Sequence, residues 1–166
     1  MSHPQEEFRE FVKISAASLH RTAYLLCGDW HLANDLVQEA LAKTFRNWQR
    51  VQRADSPDAY VRRILINESN RYWRRRPNRA AQLDAAQHEP ITPDSSDEIV
   101  DRSELLRALL SLPARQRATV VLRYLEGLSE QETAAVLQCS EGTVKSQSFR
   151  ALNTLKTFFE REELPI

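Results

Sequence analysis

Along two long stretches of this sequence apolar residues return at i, i+3 and i+4. Between them residues 77–98, PNRAAQLDAAQHEPITPDSSDE, break the period. A helical period held over tens of residues commits each stretch to packed helices. The interrupting segment carries three of the seven prolines and few large apolar side chains. It reads as a linker with little core of its own. Two small helical domains are therefore expected, at about 1–77 and 99–166, joined by the linker 78–98. Only three glycines occur, Gly28, Gly127 and Gly142, far too few turn residues for a β-sandwich or barrel. The expected fold class is all-α.

The formal net charge of zero hides a segmented distribution. Residues 1–77 hold 13 basic and 9 acidic side chains, residues 78–98 hold 1 and 5, and the remainder holds 9 and 9. A basic block, an acidic tether and a neutral block follow one another. No apolar run approaches the roughly 20 residues that span a bilayer, and the start, MSHPQEEFRE, is too polar and acidic for a signal peptide. Cys27 and Cys139 are far apart and lack a CxxC partner, so they are expected as reduced thiols in a cytoplasmic protein.

Punctuation divides the two halves. Gly28-Asp29 and Ser56-Pro57 separate helices expected near 5–26, 31–49 and 57–75, with Ser56 as N-cap and Pro57 at the first helical position. Leu112-Pro113, Gly127 and Cys139 separate helices near 98–111, 114–126, 129–137 and 141–160.

The last two helices have the layout of a helix-turn-helix. Ser129 and Glu132 are spaced as a capping box, QCS is a short turn, and Ser140 caps the helix that follows. Rotated at 3.6 residues per turn, that helix places Val144, Ser148, Ala151, Leu152 and Leu155 on its core side. Lys145, Ser146, Phe149, Arg150 and Asn153 fall opposite. Lysine and arginine can neutralise phosphates or bond guanine edges, serine can do either, and phenylalanine can press on a thymine methyl. The bland alternative is a polar face that meets only water, which the phenylalanine between cations disfavours.

In AYVRRILINESNRYWRRR, residues 59–76, six arginines accompany a single acid and three aromatics. Val61, Leu65, Ile66, Ser69, Tyr72 and Trp73 form one face; Tyr60, Arg63, Asn67, Asn70, Arg71 and Arg74 form the other. Arginine holds phosphate, asparagine pairs with adenine, and an exposed aromatic stacks on an unpaired base. A melted strand suits such a face better than a closed duplex, whereas a solvated face with a C-terminal dipole cap is the plain alternative. In DLVQEALAKTFRNW, residues 35–48, Val37, Ala40, Leu41, Thr44 and Trp48 point inward and Asp35, Gln38, Glu39, Ala42 and Arg46 point out. That mainly acidic stripe meets either water or a basic helix of a protein partner.

Together these residues resemble a bacterial sigma factor of the extracytoplasmic-function group. ANDLVQEALAKTFRNW is similar to the family's region 2.2, SPDAYVRRILINESNRYWRRRP to regions 2.3 and 2.4, and LPARQRATVVLRYLEGLSEQETAAVLQCSEGTVKSQSFRALNTLK to region 4. The resemblance implies that Asp35, Gln38, Glu39 and Arg46 contact the clamp helices of the RNA polymerase β′ subunit, with the β flap as a further partner. It implies that Tyr60, Arg63, Asn67, Asn70, Arg71 and Arg74 lie along a melted minus-10 element. It implies that Thr143, Lys145, Ser146, Phe149 and Arg150 read the minus-35 duplex of promoter DNA. It also implies an acidic linker that runs toward the RNA exit channel, and free domains that pack together or are masked by an anti-sigma factor. No cofactor is implied. Two positions depart from the family pattern: Gln147 stands where a second basic residue is frequent, and Tyr60 where tryptophan is frequent.

Two other classes fit less well. A repressor with a helix-turn-helix would need a dimer interface for a symmetric site and would leave the acidic stripe idle. An enzyme would need a clustered site, yet His3, His20, His31 and His88 are scattered and no nucleophile motif or phosphate loop occurs.

Overall fold

The computed structural model describes residues 3–54, 56–75 and 96–163. Helix α1, Pro4–Cys27, begins with proline at its first position and stops at Gly28. There φ is 76° and the Gly28 N–H donates to the Tyr24 carbonyl. Glycine adopts this left-handed turn freely. It also leaves room: a Cβ at Gly28 would sit 2.8 Å from Leu110 Cδ1. Helix α2, Trp30–Arg46, is capped by Asp29, whose carboxylate accepts from the His31 and Leu32 amides.

The helix expected over 31–49 breaks at Asn47, and a short helix α3, Trp48–Gln52, follows. The Trp48 ring joins an aromatic cluster, with its centroid 5.2 Å from those of both Phe8 and Phe11. Trp48 is buried, on the inward side where the α2 stripe places it. Helix α4, Pro57–Arg75, opens as expected, with Ser56 Oγ accepting from the Ala59 amide.

Helix α5, Ser96–Leu110, starts two residues before the expected position. The part of the expected linker over 78–95 lies outside the described residues, and Ser96 to Glu98 are already helical. Helix α6, Ala114–Val120, runs on into a π-helical turn, Val121–Leu125. Helix α7, Glu130–Leu137, and helix α8, Glu141–Glu163, complete the described chain. Among the described residues there is no strand, and no helix is long and apolar enough to cross a membrane.

Two cores form. Leu19, Ala23, Val37, Ala40, Val61 and Leu65 fill one between α1, α2 and α4. Leu109, Leu122, Val136, Ala151 and Leu155 fill the other between α5, α6, α7 and α8. Each large apolar side chain contributes about 1.5–3 kcal/mol on leaving water. Leu26 of α1 and Ile66 of α4 belong to the second core. The N-terminal helices are thereby packed onto the C-terminal ones.

Candidate nucleic-acid interface

The helix-turn-helix is built by local chemistry. Ser129 Oγ accepts from the Glu132 amide at 3.0 Å, and the Glu132 carboxylate accepts from the Ser129 amide at 3.2 Å. That reciprocal box fixes where α7 begins. It ends at Gln138, whose left-handed φ of 55° reverses the chain within the expected turn. Ser140 Oγ then accepts from the Thr143 amide at 3.0 Å and starts α8.

The exposed face of α8 is the expected one. Lys145, Ser146, Phe149, Arg150 and Asn153 are exposed, and Thr143 is half-buried with its hydroxyl against Ser140 Oγ. Phe149 is 69% exposed, a large apolar ring left in water between cations. Val144, Ser148, Ala151 and Leu155 are buried, but Leu152, expected on the core side, is 44% exposed. At 3.6 residues per turn it stands about 80° round from Val144, beyond the arc that the neighbouring helices cover. The exposed apolar surface of α8 is thus wider than its sequence pattern implies. Lys145 is not entirely free: its Nζ lies 3.7 Å from Glu130, a surface pair that holds it loosely.

Helix α4 divides only in part as its pattern predicts. Val61, Leu65, Ile66 and Ser69 are buried, and Tyr72 and Trp73 are half-buried. Asn67, Arg71 and Arg74 are exposed on the opposite face. Tyr60, Arg63 and Asn70 of the same face are half-buried. Arg63 donates from Nη2 to the Ala135 carbonyl of α7 at 2.7 Å. The α2 stripe is fully open: Asp35, Gln38, Glu39, Ala42 and Arg46 are all exposed. Between α2 and α4, Lys43 bridges Glu39 at 3.9 Å and bonds Glu68 directly, so the two helices share one ion-pair chain.

Three charged residues not singled out from the sequence hold these faces in place. Arg62, whose side chain is only 7% exposed, bonds Asp58 at 2.8 Å, Ser18 Oγ at 2.7 Å and Thr22 Oγ1 at 3.1 Å. Its Nη1 lies 3.4 Å from Glu126, itself 4% exposed, in the turn after the π-helix. Arg117 donates to the carbonyls of Leu26, Leu109, Leu110 and Leu112. Burial lowers its pKa to about 10, so it stays protonated at neutral pH. A readable signal existed: Arg62 and Arg117 occupy positions in otherwise apolar helical stripes, with Ile66 and Val121 four residues on. No group of three His, Cys, Asp or Glu among the described residues could hold a metal ion. Cys27 is buried and Cys139 half-buried, and neither is in a disulfide.

Comparison with known proteins gives the following. Residues 12–79 match the family model for Sigma-70 region 2, and residues 102–155 match that for Sigma-70, region 4. The RNA polymerase sigma-E factor of Streptomyces coelicolor is 39% identical over 158 residues, covering 95% of this chain and 86% of that protein. The ECF RNA polymerase sigma-E factor of Escherichia coli K12 is 33% identical over 132 residues, covering 70% of this chain and 68% of that protein. Among solved structures, RpoE of Bartonella quintana in complex with the anti-sigma factor NepR superposes with a TM-score of 0.75 at 26% identity, covering 93% of this chain and 98% of that one. CnrH in complex with the cytosolic domain of CnrY has a TM-score of 0.70 at 20% identity, covering 96% and 91%, and bears on the fold alone.

Proposed function

The chain belongs to the extracytoplasmic-function group of RNA polymerase sigma factors, and from that membership we propose how its surfaces divide the work. As a sigma factor it binds RNA polymerase core and directs initiation at specific promoters, without catalysis of its own. In our reading the module at 1–77 docks the polymerase and opens the minus-10 element. The module at 99–166 reads the minus-35 duplex, and 78–98 tethers the two. Asp35, Gln38, Glu39 and Arg46 meet the β′ clamp helices, because an exposed acidic stripe on a rigid helix suits a basic partner helix. Tyr60, Arg63, Asn67, Asn70, Arg71 and Arg74 track the melted strand. Thr143, Lys145, Ser146, Phe149 and Arg150 enter the major groove. Held on polymerase at a fixed separation, two modest DNA contacts act as one bivalent event.

The observation that carries this reading is the face of α8. A phenylalanine 69% exposed stands beside Lys145 and Arg150 on a helix capped at Ser140 behind a capped partner helix. The site of action is the cytoplasm, where core polymerase works. An anti-sigma factor is the expected regulator, supported by the related Bartonella RpoE having been solved bound to one. Run-off transcription with purified core enzyme on a randomised promoter library tests the assignment. Initiation at one defined sequence class is expected, and failure to join core polymerase stoichiometrically would refute it.

A further inference from the structure

The two cations on the exposed face of α8 are held differently. Arg150 is exposed and makes no ion pair among the described residues. Lys145 Nζ lies 3.7 Å from a carboxylate oxygen of Glu130. Glu130 belongs to the other helix of the helix-turn-helix, as the first residue of α7. The capping box does not use it, because Glu132 is the acid that accepts from the Ser129 amide. A carboxylate in the first turn of a helix is favoured there by the helix dipole, whatever Lys145 does. The turn between the two helices is pinned as well: Gln138 is left-handed, and the Cys139 amide donates to the Ala134 carbonyl at 3.1 Å. The hydroxyls of the same face are engaged within the chain. Ser146 Oγ donates to the Gly142 carbonyl at 3.0 Å, and the Thr143 and Ser140 hydroxyls bond each other at 2.9 Å. Lys145 and Arg150 are the charged donors that this face offers a duplex, and one of them already has an acid beside it.

We propose that Glu130 is a specificity-determining residue that acts through Lys145: it keeps the ammonium off the phosphates and leaves it for a base edge. The proposal rests on the assignment of α8 to the minus-35 duplex made above. A lysine is a flexible point charge that serves phosphate and guanine alike. A phosphate contact adds affinity and releases counterions but carries no sequence information. The Glu130 carboxylate repels a phosphate, which is charged, far more than a guanine edge, which is not. An ammonium has three N–H groups, so Lys145 can keep one on Glu130 and offer another to guanine O6 or N7. The pair is open to water, with Lys145 65% and Glu130 36% exposed, so the attraction is weak. Weakness suits the role: the acid biases the choice of acceptor by up to about fivefold without withholding the lysine from DNA.

The test is Glu130→Gln, which removes the charge, keeps the shape and leaves the Ser129–Glu132 box to start α7. Holoenzyme is reconstituted with purified core polymerase. Its affinity is measured for a promoter the wild type selects and for a panel of single-base-pair minus-35 changes, each over a range of salt. In Glu130→Gln the slope of log affinity against log salt is expected to steepen by about one, as for one added phosphate contact. Discrimination is expected to fall several-fold at the base pair where Lys145→Ala also loses it, and to hold elsewhere in the panel. In a Lys145→Ala background, Glu130→Gln should alter neither slope nor panel. A wild-type slope or a wild-type panel in Glu130→Gln overturns the proposal. So does the same change appearing without Lys145, since Glu130 would then act on the duplex by itself. If wild-type holoenzyme binds every minus-35 variant alike, the assignment of α8 fails and this proposal falls with it. A discriminating wild type that Glu130→Gln leaves unaltered sinks this proposal alone.

Discussion

The Arg117 guanidinium lies 5.1 Å from the centre of the Trp73 indole, and both side chains donate to the one carbonyl of Leu26. Three helices meet there: α1 ends beside that carbonyl, α4 supplies the ring and α6 the cation. The carbonyls at a helix C-terminus have no partner within the helix, and a buried cation satisfies them and favours the dipole. The join between the N-terminal and C-terminal helices is therefore polar at its centre as well as apolar at Leu26 and Ile66.

Replacing Arg117 by methionine keeps volume but takes a charged donor from four carbonyls, of which Leu26 keeps the Trp73 indole and Leu109 the Leu112 amide. The cost is expected at about 3 kcal/mol, the order found when one side of a buried charged network is removed. Urea unfolding followed by far-ultraviolet dichroism measures it. Lysine at this position should recover only part, because a single ammonium cannot span acceptors that a planar fork reaches. A loss no larger than that of an ordinary surface substitution would contradict the network's role.

Arg150→Ala should weaken occupancy of the cognate promoter by roughly 1–3 kcal/mol, the usual loss for a base-reading arginine. Arg150 is exposed, so stability should not move. Competition for promoter DNA by the reconstituted holoenzyme reads the effect, and equal occupancy would remove Arg150 from the reading face.

The pair Asp35→Arg and Glu39→Arg should abolish binding to core polymerase. Both positions are exposed, and native helicity should persist. Because Glu39 neighbours Lys43, which also bonds Glu68, helicity and binding must be measured on the same preparation. Full binding with a native spectrum would refute the docking stripe.

Gln147→Arg should make promoter binding more salt-dependent. An added phosphate contact steepens the slope of log affinity against log salt by about one. Gln147 is half-buried beside the exposed cations of α8, so on the proposed reading face a guanidinium there is expected to add a phosphate contact. An unchanged slope would show that this position faces away from the duplex.

Ser129→Ala should lower stability by about 1 kcal/mol, the usual value of an N-cap, through loss of one half of the capping box. Thermal unfolding should register this as a shift of about 2–4 °C for a chain of this size. No shift would mean that α7 is held by packing alone.

The sequence by itself determined what depends on neighbours a few residues apart. Ser56, Ser129 and Ser140 cap where their spacing to the following helix says they must. The apolar stripes of α1, α2 and α4 became cores, and the outward cations of α8 stayed outward. Caps and stripes are legible because both follow from the geometry of one helix. Tertiary structure decided what depends on which helix lies against which. It broke the expected helix at Asn47, and it left Leu152 beyond the edge of the α8 core. It buried Arg62 and Arg117, because partners 64 and 91 residues away supplied the compensating groups. The apolar stripes around Arg62 and Arg117 signal their burial, but long-range pairing leaves no local period, so only the folded chain reveals their partners.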